Sequence, residues 1–476
     1  MNRLSSGRMG KLLKALTGLD AAFLYLESAG TPMHVGSVML IELPKRRAYD
    51  FHSALLAHVA DRLPRAPALR RVLHEAPLDL GHPMWAEASD IDLRKHIRKR
   101  RLPGTGGQAK LMSLVGKLHS EMLSRDLPMW RFVVIENVEP GVVALYSKVH
   151  HALLDGQGGI ALAQAILDAS AIAPGRRRKR VPVLAPASAA STRDLARVAA
   201  RSSVQQFSRL IRALPATLKM AGSLGQAASL IGSLRENVLL APRTVFNCKV
   251  GADRSFAAVS LPLNEVKRVA RGFGVSLNDV VMAICSGALR GLLLRVDALP
   301  KKSLIAAMPV SLREPGNQDA GNQVSMAQCS LATDIADPVA RLHAIHASTA
   351  QIKRRVAMFK HLIPTDFPGL AAPIWASGLS RLWGSGRLAE RLPALANVAI
   401  SNVPGPPMAL YLAGARLRHY YPVSIVTHGL AFNITVQSYA GNLEFGLTAC
   451  KDVVARPDIV ARAMAAALCE LSDRLP

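Results

Sequence analysis

Apolar residues along the chain recur with two different periods. The run Val142-Val143-Ala144-Leu145-Tyr146-Ser147-Lys148-Val149 is β-branched and apolar, with no glycine or proline, and predicts a strand. Further strands are expected at Ser37–Glu42, Phe256–Leu261, Leu304–Met308, Val398–Ser401 and Gly429–Gln437. Helical texture is expected over Phe51–Asp61, Leu111–Met122, Ile160–Leu167, Leu263–Phe273, the stretch opened by Ser276–Asp279, and the alanine-rich Pro457–Leu471. Between these α/β regions the composition shifts to Ala, Arg, Ser and Leu, with the proline-rich segment 181–186 first and an amphipathic stretch from Thr192 to Leu214 after it. The expected organisation is therefore residues 1–170 as one α/β half, 171–240 as a basic, partly helical crossover linker, and 241–476 as a second half. No sequence repeat relates the halves.

Length agrees with that division, because 476 residues, half of them hydrophobic, are too many for one ordinary core. Five cysteines, Cys248, Cys285, Cys329, Cys450 and Cys469, are scattered without CxxC spacing, which argues against a disulfide framework or zinc site and for a reducing cytosol. No stretch of eighteen uninterrupted apolar residues occurs; the run Val280–Leu294 is broken by Ser286 and Arg290. The N-terminus lacks the apolar core and cleavage site of a secretory signal, so a cytoplasmic protein is expected.

The net charge of +26 is concentrated. Residues Arg176 to Lys219 hold eleven basic residues and one acid, and Arg94–Arg101 holds six Lys or Arg in eight. Such fields attract anionic membranes, nucleic acid or the phosphates of a nucleotide-bearing substrate. No stacking platform, recognition helix or zinc module accompanies them, so nucleic acid is set aside and an anionic membrane or lipid-droplet surface is the expected partner. An arginine-rich genomic composition would give the same charge without a partner.

The chemistry points to His150-His151-Ala152-Leu153-Leu154-Asp155-Gly156, on the connection between the 142–149 strand and the following helix. An imidazole titrates near neutrality and, kept uncharged, accepts a proton at pH 7. His151 is the candidate base, with His150, Asp155 and Gly156 completing the catalytic set. Asp155 either orients the ring or turns away to lock the loop through an arginine, and Gly156 permits close backbone approach. A metal would need further ligands, and no HExxH or Cys/His cluster supplies them. The bland reading is a pair of hydrogen-bonded histidines at a strand end. Asn278 carries two N–H donors where a loop enters a helix, so it suits an oxyanion; Asn278 or Asp279 could equally cap that helix. Pro103–Lys110 has glycines and a lysine but no GK[ST] ending and no clear preceding strand, and is expected to be a mobile loop, not a phosphate cradle.

The HHxxxDG pattern resembles the wax ester synthase/diacylglycerol acyltransferase family. Six further runs stand in the order that family shows: Leu19–Phe23 with Thr31–Gly36, Pro128-Met129-Trp130, Ser276–Asp279, Met308–Arg313, Gly321–Ser325 and Ser401–Pro406. Met129 stands where the family more often has leucine, a change that conserves volume. The resemblance implies two chloramphenicol-acetyltransferase-like halves, each a mixed sheet with flanking helices, joined by a long partly helical linker, with the site between them. It implies that His151 deprotonates an acceptor hydroxyl, which attacks the thioester of acyl-CoA, the co-substrate, with no metal or other cofactor. The acceptor is expected to be diacylglycerol or a fatty alcohol, and the enzyme to lie at the inner membrane face or on lipid droplets. It also implies an Asp155–Arg313 ion pair between the halves. Two other classes remain open: a condensation-type acyltransferase using a carrier-protein thioester, and a non-catalytic lipid-surface protein of the same fold.

Overall fold

The structure, a computed structural model, describes residues 13–45, 49–75, 82–88, 90–154, 158–171, 239–311, 324–359 and 391–476. In chain order the strands are β1 (Leu13–Ala15), β2 (His34–Glu42), β3 (Arg71–His74), β4 (Met84–Glu87), β5 (Ile97–Arg101), β6 (Trp130–Glu139), β7 (Val142–His150), β8 (Arg254–Pro262), β9 (Ile305–Ser311), β10 (Val324–Ser330), β11 (Val398–Val403), β12 (Tyr411–Leu412), β13 (Ala415–Val423), β14 (Phe432–Tyr439) and β15 (Asn442–Cys450). The helices are α1 (Gly18–Leu26), α2 (Phe51–Arg62), α3 (Leu93–His96), α4 (Gln108–Ser120), α5 (Gly158–Ile166), α6 (Leu263–Gly272), α7 (Leu277–Arg295), α8 (Pro338–Phe359) and α9 (Pro457–Ser472). The strands form a small sheet, β1-β4-β3, and two six-stranded mixed sheets, β12-β13-β2-β7-β6-β5 and β10-β9-β11-β14-β15-β8.

β7 lies inside the first large sheet and is buried at all nine positions. That explains its continuous apolar run, since a strand covered on both faces has no need to alternate. Its side chains still divide by period two: Val143, Leu145 and Val149 join one core with Phe51, Trp85 and Trp130, while Val142, Ala144 and Tyr146 join another with Leu111, Val115 and Phe256. Gly36 in β2 is required by this packing, because a Cβ there would lie 1.8 Å from the Ser147 carbonyl oxygen. The second sheet packs on α7 and α9 around Phe432, Phe445, Val281 and Met464. Among the described residues α7 alone is long and apolar enough to cross a membrane, and most of its apolar surface is buried in this core.

The halves exchange structure. β12 and β13, which follow residue 410, pair into the first large sheet, β13 running antiparallel to β2 with Tyr421 opposite Val38. Length and composition do not reveal this crossover, because strand partners are set by tertiary contacts. The two sheets are also stitched by polar groups. The buried Arg254 donates to the carbonyls of Gly251 and Gly30, at 2.7 and 2.5 Å, and its backbone N–H donates to Ser120 Oγ at 2.8 Å.

Two expectations are corrected. The basic run at Arg98–Arg101 is the edge strand β5, paired parallel to β6, with all four side chains exposed. A strand therefore does precede Pro103–Lys110, and that segment is pinned to β6: Asn137 Nδ2 donates to the carbonyls of Leu102 and Gly104, and the Gly107 N–H donates to Val138. Gly106 has φ +69°, and a Cβ on it would lie 1.7 Å from the Asn137 carbonyl oxygen, so glycine is needed there for a tight approach. The 192–214 stretch lies outside the described residues.

Candidate active site

Strand β7 delivers His150 at its last position, and a 3₁₀ turn, His151–Leu153, follows at once. The motif runs that surround HHxxxDG in the sequence meet here in space. The His150 N–H donates to the Met129 carbonyl at 2.9 Å, and the His151 N–H donates to the Met33 carbonyl at 2.8 Å. Trp130 anchors the same strand end by donating from Nε1 to the Leu69 carbonyl, while its ring stacks on His96.

The two imidazoles live in different surroundings. His150 is fully buried. Its Nδ1 accepts from the Ala152 N–H at 3.2 Å, so the proton of the neutral ring sits on Nε2, which faces Glu27 Oε1 at 3.3 Å. The contact falls short of a well-formed hydrogen bond but sets Nε2 directly against the carboxylate. Glu27 also accepts from the Met33 N–H and from Arg125. Burial opposes its charge, but His150, Met33 and Arg125 together outweigh that and hold the carboxyl below its ordinary value.

His151 is partly exposed, yet its Nδ1 is sealed and has no hydrogen-bond partner among the described residues. Its ring lies on that of Phe23, centroids 3.9 Å apart and planes within 20°. Burial, with the neighbouring His150 acting in the same direction, pushes the imidazole down to about 4. The ring is therefore neutral at pH 7, the state a proton acceptor needs. Behind it His34, the register partner of His150, donates from Nε2 to the His119 carbonyl at 2.7 Å. His119 in turn accepts from the Tyr146 hydroxyl and donates to the Ser424 carbonyl of the other half. Asp155, Gly156 and Arg313, with the expected Asp155–Arg313 pair, lie outside the described residues.

A second cluster joins two of the motif runs of the C-terminal half. Ser276 caps α7 in a capping box: its Oγ accepts from the Asp279 N–H, and Asp279 Oδ2 accepts from the Ser276 N–H at 2.9 Å. Capping thus falls to Ser276 and Asp279, and Asn278 is left for other work. Asn278 Oδ1 accepts from Asn402 Nδ2 at 3.2 Å, joining the SLND run to the SNVPGP run. The buried Asp279 also accepts from His346 Nδ1 at 2.7 Å and Thr349 Oγ1 at 2.6 Å. Burial works against its charge, yet these donors hold the carboxyl below its usual range.

Sequence reasoning named His150, His151, Asn278 and Asp279 but missed Glu27, Arg125 and His346 and gave Phe23 no role. Glu27 is the C-cap of the helix that carries the Leu19–Phe23 run, four residues after Phe23. That spacing was the only available signal.

The wax ester synthase/diacylglycerol acyltransferase catalytic domain matches residues 16–281, and the C-terminal domain of the same family matches residues 320–472. A Mycobacterium tuberculosis protein carrying a provisional name as a diacylglycerol O-acyltransferase is 37% identical over 450 residues, covering 92% of this chain and 94% of its own. The wax ester synthase/diacylglycerol acyltransferase of Marinobacter aquaeolei VT8 superposes with a TM-score of 0.69 at 30% identity, covering 97% of this chain and all of that one. The first condensation domain of the calcium-dependent antibiotic synthetase shares the fold, with a TM-score of 0.54 at 14% identity and coverage of 98% of each chain. The chain is a two-sheet acyltransferase, and it belongs to the wax ester synthase/diacylglycerol acyltransferase family.

Proposed function

We propose that this protein moves a long-chain fatty acyl group from acyl-CoA to a lipid hydroxyl, that of a diacylglycerol or a fatty alcohol, with His151 as general base. The observation that carries the assignment is a neutral, partly exposed imidazole whose backbone N–H is held by the Met33 carbonyl, next to a His150 N–H held by Met129. His151 takes the hydroxyl proton as the oxygen attacks the thioester carbonyl. The tetrahedral intermediate collapses with cleavage of the C–S bond, and the imidazolium returns its proton to the departing sulfur. Asn278 is our candidate donor to the carbonyl oxygen: with Oδ1 engaged by Asn402, its NH₂ faces elsewhere. His150, buried and held on both sides, supports the loop without touching substrate. Acyl-CoA is the co-substrate in this reading, and no other cofactor enters it.

A long acyl chain contributes about 0.8 kcal/mol per buried methylene before association costs, so such substrates partition to interfaces and the enzyme must meet them there. The exposed Arg98, Lys99, Arg100 and Arg101 on β5 support an anionic membrane or lipid-droplet surface on the cytoplasmic side. Co-sedimentation with phosphatidylglycerol vesicles, abolished by salt and absent with phosphatidylcholine, tests that part separately.

For the chemistry, purified protein is given palmitoyl-CoA with dioleoylglycerol or hexadecanol and CoA release is followed. Turnover with either acceptor supports the reading, and release only from a carrier-protein thioester favours a condensation-type enzyme. His151→Ala should cost about 10² to 10⁴ in rate with the fold intact. On folded enzyme, the acid limb of kcat/KM should fall near pH 4 and not at the ordinary histidine value. A greater loss in His150→Ala than in His151→Ala would reverse the roles.

A further inference from the structure

A general base needs its ring plane fixed as well as its charge state. The usual brace is a carboxylate on the second ring nitrogen, but Nδ1 of His151 is sealed and unpartnered among the described residues. The contact that fixes the plane is apolar: the Phe23 ring at 3.9 Å and 20°. Phe23 is itself held, packing from α1 against the core that contains Leu145, Val149 and Ala152. At the C-cap of the same helix, the buried Glu27 carboxylate takes the Nε2 side of His150.

We propose that α1 and its C-cap residue are the positioning element of the reaction, with Phe23 fixing the plane of the His151 ring and Glu27 fixing the tautomer of His150. The proposal rests on His151 being the base. Phe23 serves the ring in both of its charge states. Against the neutral imidazole it offers flat dispersion contact and leaves no room for water between the rings. When His151 takes the proton, the cation forms over the negative face of the phenyl group, an attraction that grows as water is excluded. The stack therefore favours the protonated ring of the transition state without needing a fixed charge nearby. Glu27 acts through its neighbour. By engaging Nε2–H it leaves Nδ1 of His150 free to accept the Ala152 N–H, which holds the 3₁₀ turn carrying His151.

The test compares wild-type, Phe23→Leu, Phe23→Trp, Glu27→Gln and His151→Ala enzymes in palmitoyl-CoA turnover across pH, with thermal melts alongside. Phe23→Leu keeps apolar volume but loses the flat ring, and its kcat should fall about tenfold to a hundredfold with KM within roughly twofold, the cost of a misplaced reacting group. Its acid limb should also shift, because the aromatic face that meets the imidazolium and the exclusion of water from the ring both change. Phe23→Trp, which restores a flat face, should recover most of the kcat. Glu27→Gln should lower kcat less than Phe23→Leu, since the amide keeps the volume and an oxygen beside Nε2 of His150. A folded Phe23→Leu enzyme with wild-type kcat and pH profile overturns the proposal, as does an equal loss in Phe23→Leu and Phe23→Trp. If Phe23→Leu does not accumulate as folded protein, Phe23→Met carries the same comparison. His151→Ala separates the two readings: an inactive His151→Ala beside a fully active Phe23→Leu defeats the stack alone, while an active His151→Ala defeats the base assignment and this proposal together.

Discussion

Gly446 of β15 lies against the carbonyl of Pro422 in β13, so closely that a Cβ on the glycine would sit 1.7 Å from that oxygen. This is where the two large sheets meet, β13 belonging to the first and β15 to the second. A methyl group cannot enter without parting the sheets, because the obstructing atom is backbone. Gly446→Ala should therefore fail to accumulate as soluble protein, or should melt far below wild type. Gly291, inside α7 with open space around it, is the control: Gly291→Ala should stabilise by about 0.4–1 kcal/mol through the unfolded chain. Equal melting temperatures for wild type and Gly446→Ala would show that the sheets are not packed this tightly.

His34, His119 and His151 link stability to pH. Burial, the largest cause for each, drives all three below the ordinary histidine value, His119 to about 3 and His151 to about 4. The unfolded chain returns them to about 6.5, so below that pH it binds more protons than the native state. Their stabilisation is complete above pH 6.5 and is lost as pH falls toward the folded values. At pH 5 His119 and His151 should each cost on the order of 2 kcal/mol, with His34 acting in the same direction. Urea midpoints at pH 7.5 and pH 5 measure this, and an unchanged midpoint would refute the neutral burial of the cluster.

Arg254 ties β8 to the first half through the Gly30 carbonyl and through its own N–H to Ser120. Its guanidinium is buried and desolvation lowers its pKa, but it donates to the carbonyls of Gly251, Asp253 and Gly30. Arg254→Met removes the charge and leaves those carbonyls facing apolar atoms. A loss of about 2–4 kcal/mol is expected in urea denaturation, from the unsatisfied acceptors. A loss below about 0.5 kcal/mol, the range of ordinary surface changes, would mean the halves do not rely on this contact.

Asp279 collects donors from Ser276, Thr349 and His346, so its replacement should act on α7 and α8 together. Asp279→Ala is expected to lower stability by about 2–4 kcal/mol, and Thr349→Val by about 1 kcal/mol. Because the carboxyl is held below its usual value, its contribution is present above about pH 4 and disappears as pH falls further. If Asp279→Ala is as stable as wild type but inactive, the residue belongs to the chemistry and its capping role is incidental.

Much of this molecule can be read in one dimension. Strand β7 was visible because a strand buried on both faces must be apolar throughout, and α6 and α9 were visible within a residue or two because helical periodicity and flanking prolines mark them. β5 was not, since four consecutive exposed basic residues carry no alternation and register only as charge. Glu27 was invisible for a different reason. A buried carboxylate looks like a surface one until its partners His150, Met33 and Arg125 are brought to it.

The sequence alone determined the local elements, the α/β texture on either side of the basic segment, the histidine pair at the end of β7, and the family. Those depend on residue type and short spacing, which a linear chain displays directly. Only the tertiary structure decided that β13 crosses into the first sheet, that α1 and its C-cap Glu27 meet the two imidazoles, and that His151 is kept neutral by burial beside Phe23. Pairing, desolvation and ring stacking are relations between residues far apart in the chain, and no residue carries them until the backbone has folded.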